Sequence, residues 1–231
     1  MLLCANASST AQTHFLVKYR ATNNALAEYF RKMRAFSKNE NSVLFSDENL
    51  EKERMMGLTT DGRRSQYAEL EDEGELTDDD SPRIRYVSQD YWGERCNIYK
   101  EYATGAIMME QYFNGRPHLL TDSSFARKWD ITEERAVVLG MQCQKAVSAD
   151  TITAWFTVDV PIPDGPHTYG GLPGLIVRLD DSHEQYECVS IENTDEKIPD
   201  IPRRGRRMSM AEFRAYVEDD FSHMGERLGY E

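Results

Sequence analysis

What is scarce in this chain of 231 residues excludes several functions at once. A membrane-crossing helix needs about 18 or more consecutive apolar residues, and no such run occurs. Positive charge is also short. The 27 Lys and Arg residues face 40 Asp and Glu, and a net charge of −13 repels a phosphate backbone, so nucleic acid is excluded as a general partner. There is no Gly-x-Ser-x-Gly elbow, no phosphate-binding loop, no dinucleotide glycine fingerprint and no Cys-x-x-Cys pair. "HEQYE" at 183–187 opens like a zinc-protease helix, but its fifth residue is Glu187 where a second His is required. His14, His118, His167, His183 and His223 are scattered, so neither a metal nor any other cofactor is expected.

What remains is enough for a folded domain, since 40% of the residues are hydrophobic. The opening "MLLCANASSTAQT" reads as the remnant of a secretory leader over residues 1–12, with an Ala-x-Ala-like "ANA" but no basic segment before it; a disordered N-terminus is the alternative. Once a leader is removed, Cys96, Cys143 and Cys188 are left, and a Cys143–Cys188 disulfide with one spare thiol is the expected arrangement. Residues 13–231 then form a single domain, with no internal repeat and no linker.

Hydrophobic periodicity assigns the elements. Phe15, Val17 and Tyr19 alternate and predict a strand, whereas Leu26, Tyr29, Phe30, Met33 and Phe36 fall on one helical stripe behind Asn24 as N-cap. "SVLF" at 42–45 is a short strand. Residues 69–80, "ELEDEGELTDDD", carry eight carboxylates and no base; such a run is solvated and mobile, and it lacks the spacing of a calcium loop. "RIRYV", "CNIYKEYA" and "AIMMEQYF" are successive strands, the last two joined as a hairpin at Thr104-Gly105. In "TITAWFTVDV", 151–160, Ile152, Ala154, Phe156, Val158 and Val160 share one face, while Trp155 stands among Thr151, Thr153, Thr157 and Asp159 on the other. At the C-terminus Ser209 and Glu212 form a capping box ahead of an apolar stripe of Met210, Phe213, Val217, Phe221, Met224 and Leu228. Arg203, Arg204, Arg206 and Arg207 precede that helix, where pairing with the chain's own carboxylates is expected over an anionic partner. The fold predicted is α+β and β-rich: a curved, mainly antiparallel sheet or open barrel, with a helix from the N-terminal half and a C-terminal helix packed on it.

The most distinctive stretch is "GPHTYGGLPGLIVRL" at 165–179. Pro173 and Gly174 suit positions i+1 and i+2 of a type II turn leading into the strand "LIVRL", and Gly170 and Gly171 permit a bend or bulge. Pro161, Pro163 and Pro166 stiffen the approach, so turn chemistry accounts for most of these residues. The functional alternative is a site built from Trp155, Asp159, Asp164, His167, Tyr169, Gly170, Gly171, Pro173 and Gly174 that meets an envelope protein or a small-molecule or peptide ligand. Asp159 or Asp164 with His167 would make the acid-base pair of a hydrolase, though no nucleophile accompanies them. A purely structural role, with Trp155 buried, is the third reading.

"GLPGLI" at 171–176 resembles the signature of the GLPGLI family of the Bacteroidetes, whose members are mostly of unassigned function. The resemblance extends over "KWDITEERAVVLGMQCQKA" at 128–146, "AWFTVDVPIPDGPHTYGGLPGLIVRL" at 154–179 and "YECVSI" at 186–191, and more weakly over most of the chain. It implies an exported protein, periplasmic or outer-envelope associated, and brings no catalytic residues with it. The acidic run and the arginine cluster depart from the family pattern.

Overall fold

In the computed structural model the described residues are 14–23, 53–70, 96–113, 116–122, 127–148, 151–217 and 219. The alternation in the sequence becomes twelve strands of one sheet: β1 (His14–Asn23), β2 (Arg54–Thr60), β3 (Arg64–Glu69), β4 (Cys96–Glu101), β5 (Ala106–Phe113), β6 (Arg116–Asp122), β7 (Asp130–Val138), β8 (Met141–Ser148), β9 (Ile152–Thr157), β10 (Leu175–Asp180), β11 (Glu184–Thr194) and β12 (Arg206–Ser209). Their order is β12-β6-β5-β4-β3-β2-β1-β11-β10-β9-β8-β7. Neighbours are antiparallel except β12, which runs parallel to β6. Two meanders, β2 to β6 and β7 to β11, are therefore stitched together by β1, which pairs with both β2 and β11.

Register explains the core. Tyr67, Ile98, Met109, Leu120 and Met208 line up across β3, β4, β5, β6 and β12, and all five are buried. Turn chemistry closes the hairpins. Leu139 and Gly140 both take left-handed φ, 49° and 77°, as a two-residue loop between β7 and β8 requires, and Asp61 Oδ1 accepts the N–H groups of Arg63 and Arg64 at 2.8 and 2.9 Å between β2 and β3. The hairpin at Thr104-Gly105 forms as expected, with Glu101 opposite Ala106 and Gly105 at φ 69°.

The sheet is strongly curved. Three strands separate β3 from β10, a span of about 19 Å in a flat sheet, yet Asp164 accepts the backbone N–H of Ile176 on β10 at 2.9 Å and a hydrogen bond from Ser65 on β3. The concave side is filled by the connection between β9 and β10, whose Tyr169 and Leu172 join the main hydrophobic cluster.

The expected α+β class is corrected to a mainly β fold, an open mixed sheet. A sheet that bends over its own long connection needs no helical layer to cover its inner face, and among the described residues the helical segment is α1, beginning at residue 210 and followed over 210–217. Ser209 and Glu212 make its capping box reciprocally, Ser209 N–H to Glu212 at 2.7 Å and Glu212 N–H to Ser209 Oγ at 3.1 Å. Phe213 and Tyr216 pack edge-on against Phe113 of β5, with ring centroids 6.0 and 5.5 Å away. The helix expected at Leu26–Phe36, the strands at 42–45 and 83–87, and the leader at 1–12 lie outside the described residues, as does most of the acidic run. No described helix is long and apolar enough to cross a membrane.

Candidate functional site

The proline-rich approach is built from two consecutive three-residue turns. Ile162 N–H bonds to Val160 O and Asp164 N–H to Ile162 O, each at 2.8 Å. The central residues are Pro161 and Pro163, whose rings hold φ near the value an inverse γ-turn needs while having no N–H to lose. The chain then doubles back. His167 takes φ 49° in a turn closed by Tyr169 N–H to Pro166 O at 3.0 Å, and Gly171 takes φ 86° where its N–H meets Pro163 O at 3.0 Å.

The expected type II turn at Pro173-Gly174 is corrected here: in this loop the left-handed glycine is Gly171. Gly174 serves a different need, close approach, because a Cβ there would lie 1.9 Å from the backbone oxygen of Thr157. Gly165 is equally confined, with a Cβ falling 2.8 Å from Cβ of Ile176.

This compact loop is bolted to the opposite wall by a buried charge pair. Lys100 of β4 and Asp164 have no side-chain exposure, and Lys100 Nζ contacts Asp164 Oδ1 directly. Nζ also donates to the carbonyls of Gly165 at 2.8 Å and Tyr169 at 3.4 Å. Oδ1 accepts Gly165 N–H at 2.7 Å, and Oδ2 accepts Ser65 Oγ at 2.5 Å and Tyr102 Oη at 2.7 Å. Every polar group of the pair is thus used, which is the condition under which a buried pair is tolerated. Burial pulls the Lys100 pKa down against the opposing attraction of Asp164, and pushes the Tyr102 hydroxyl well up, with Asp164 adding to the shift. From the far side, Trp129 Nε1 donates to Gly170 O at 2.9 Å, tying the segment before β7 to the same loop.

A second, shallower group borders the first. Tyr169 Oη donates to Asp181 at 2.6 Å, and the Arg127 guanidinium lies 5.0 Å from the Tyr169 ring centroid. Burial works against the Asp181 carboxylate, but the bonds from Tyr169 and from the N–H groups of Glu184 and His183 together hold its pKa below the usual value. The His167 imidazole lies among Tyr67, Tyr169 and the Arg54–Glu184 pair; burial lowers its pKa, Glu184 and Asp181 oppose this, and Lys100 and Arg54 add to it.

Among the expected site residues, Asp164, His167, Tyr169, Gly170 and Gly171 are brought together in this loop, with Pro173 exposed at its end. His167 bonds Thr168, and among the described residues no hydrogen bond joins it to Asp159 or Asp164. Asp159 is exposed, its N–H bonded to Thr157 Oγ1. Trp155 is half-buried on β9 between Lys145 of β8 and Arg178 of β10, packed against the core. Val158, expected inside, is exposed because β9 ends at Thr157. Cys143 and Cys188 are buried free thiols, each hydrogen-bonded to a carbonyl of its own strand, and burial pushes Cys188 up to about 12. The four arginines are exposed, and Arg206 lies over the Tyr216 ring at 5.4 Å; most of the acidic run, a source of partners for the expected self-pairing, lies outside the described residues. Among the described residues no group of His, Cys, Asp and Glu is placed to hold a metal.

Lys100, Ser65, Tyr102 and Trp129 were not singled out from the sequence. One signal was there: in "CNIYKEY" Lys100 shares the inward face of Ile98, and a lysine at a core position of a strand calls for a buried partner.

Residues 121–178 match the family described as "Protein of unknown function (Porph_ging)". The Porph_ging match runs from the end of β6 into β10 and so takes in Trp129, the two proline turns and every glycine of the loop. No curated protein matches the chain. The solved structure of PNGF-II in a C2 space group is similar in fold, with a TM-score of 0.57 at 12% identity over 89% of this chain and 33% of that one. The chain therefore spans about a third of the length of PNGF-II.

Proposed function

We propose that this protein is an exported, non-enzymatic binding or accessory protein of the cell envelope and a GLPGLI-type domain. The observation that carries the reading is how the loop's acid is spent. Asp164, one of the two carboxylates that the sequence offered to His167 for acid-base work, holds Lys100, Ser65 and Tyr102 in the interior. The groups left nearer the surface are suited to recognition: Arg127 and Asp181, held by the ring and the hydroxyl of the buried Tyr169, and the half-buried Trp155 flanked by Lys145 and Arg178. They fit contact with an envelope protein or a small-molecule or peptide ligand. The second reading is a purely structural envelope protein, favoured by the packing of Trp155 against the core.

Cell fractionation followed by affinity capture from envelope extract tests this, with wild type beside a Trp155→Ala, Tyr169→Phe double variant that circular dichroism shows to be folded. The binding reading expects the protein in the envelope fraction and a component held only by wild type. Recovery with the cytosol refutes export, and identical capture by both proteins refutes the assigned surface in favour of the structural reading.

A further inference from the structure

The contacts that satisfy the buried Lys100–Asp164 pair also arrange its two groups for reaction. The geometry points to a covalent outcome: an intramolecular amide bond between Lys100 Nζ and Asp164 Cγ, formed by the folded protein itself. Ammonium and carboxylate condense to one amide and one water, so atoms and charge balance without oxidant, reductant or metal.

Each step has its group in place. Nζ and Oδ1 are in direct contact, so a proton passes from the ammonium to the carboxylate without a carrier. Two N–H bonds of the resulting amine are held by the carbonyls of Gly165 and Tyr169, at 2.8 and 3.4 Å. The direction left to the lone pair is the one that faced the carboxyl group. As Nζ adds to Cγ, negative charge builds on Oδ2, where Ser65 and Tyr102 already donate at 2.5 and 2.7 Å. Oδ1 takes the second proton from Nζ and leaves as water.

The surroundings favour the product. Neither side chain is exposed, so little water is at hand to reverse the reaction, and two groups fixed in contact react with the advantage of an intramolecular pair. Burial also lowers the Lys100 pKa and so favours the amine. In the amide the N–H keeps Gly165 O and the carbonyl oxygen keeps Ser65 and Tyr102; the Gly165 N–H gives up its bond to the departing Oδ1, and in exchange the buried charges are gone. The bond would fasten β4 to the loop between β9 and β10, across a sequence separation of 64.

Intact-mass spectrometry of the purified full chain, followed by proteolysis and fragment sequencing, is the test. The bond predicts a mass lighter than the sequence by one water and a branched peptide joining the segments around Lys100 and Asp164. Ser65→Ala and Tyr102→Phe should leave a larger uncondensed fraction. Because Asp164 precedes Gly165, backbone cyclisation to a succinimide also loses one water, and Lys100→Met separates the two: the loss disappears if the amide is its source and persists if the succinimide is. A folded wild-type protein at the full sequence mass, or a loss that survives Lys100→Met without a branched peptide, overturns the proposal.

Discussion

Replacing Gly174 with alanine separates two reasons for a glycine, and the outcome can be worked out from the structure. A Cβ at Gly174 meets Thr157 O at 1.9 Å, Thr157 C at 2.7 Å and Val158 Cα at 3.0 Å, all of them backbone atoms at the end of β9. No rotamer change relieves that contact; β9 and β10 must separate by about an ångström where Leu175 pairs with Thr157. Overpacking typically costs about 1–3 kcal/mol, and a clash with backbone belongs at or above the top of that range. Gly62 is the control, since it has φ 79° but nothing within 4 Å of its Cβ. Its alanine variant bears only the left-handed strain, about 1 kcal/mol. With a urea dependence of about 2 kcal/mol per M, the midpoint should fall by about 0.5 M for Gly62→Ala and by about 1.5 M or more for Gly174→Ala. Tryptophan fluorescence reports the transition, because Trp129 and Trp155 both pack against the core. Equal shifts for the two variants would show that the close approach at Gly174 is not what its glycine is for.

Relative to the uncondensed ion pair, Asp164→Ala strands the Lys100 ammonium without exposure and should cost about 3–5 kcal/mol, whereas a Lys100→Met, Asp164→Leu double variant should recover part of that in thermal denaturation; a double variant as unstable as the sum of the two single changes would contradict the account. His167 has its pKa lowered in the fold, so above about 6.5, the unfolded value, both states are neutral and its contribution to stability is complete. Below that pH the unfolded chain binds the proton first, so stability falls with acidification until the folded pKa is passed. His167→Gln should therefore flatten the pH dependence between about 7 and 5 relative to wild type. His118, also lowered by burial, contributes the same sign in both proteins and cancels in the comparison, and an unchanged slope would remove His167 from the explanation.

Much of the strand pattern was legible because it rests on local alternation. "LIVRL" is β10, "AIMMEQYF" is β5, and Val17 and Tyr19 point inward as read. Local turn chemistry was legible for the same reason, in the Thr104-Gly105 hairpin and the Ser209–Glu212 box. The reading failed where a contact is long-range. The role of Gly174 depends on Thr157, seventeen positions earlier in the chain, and the fate of Asp164 depends on Ser65, Lys100 and Tyr102 across a curved sheet.

By itself the sequence determined that this is an acidic, β-rich domain whose longest glycine and proline stretch is a stiff turn, because composition, periodicity and backbone preference act within a few residues. Only the tertiary structure decided that the turn lies inside the sheet and that its aspartate belongs to a buried lysine. Curvature accumulates over twelve strands, and a charge can be kept in an apolar interior only where several distant elements converge to satisfy it.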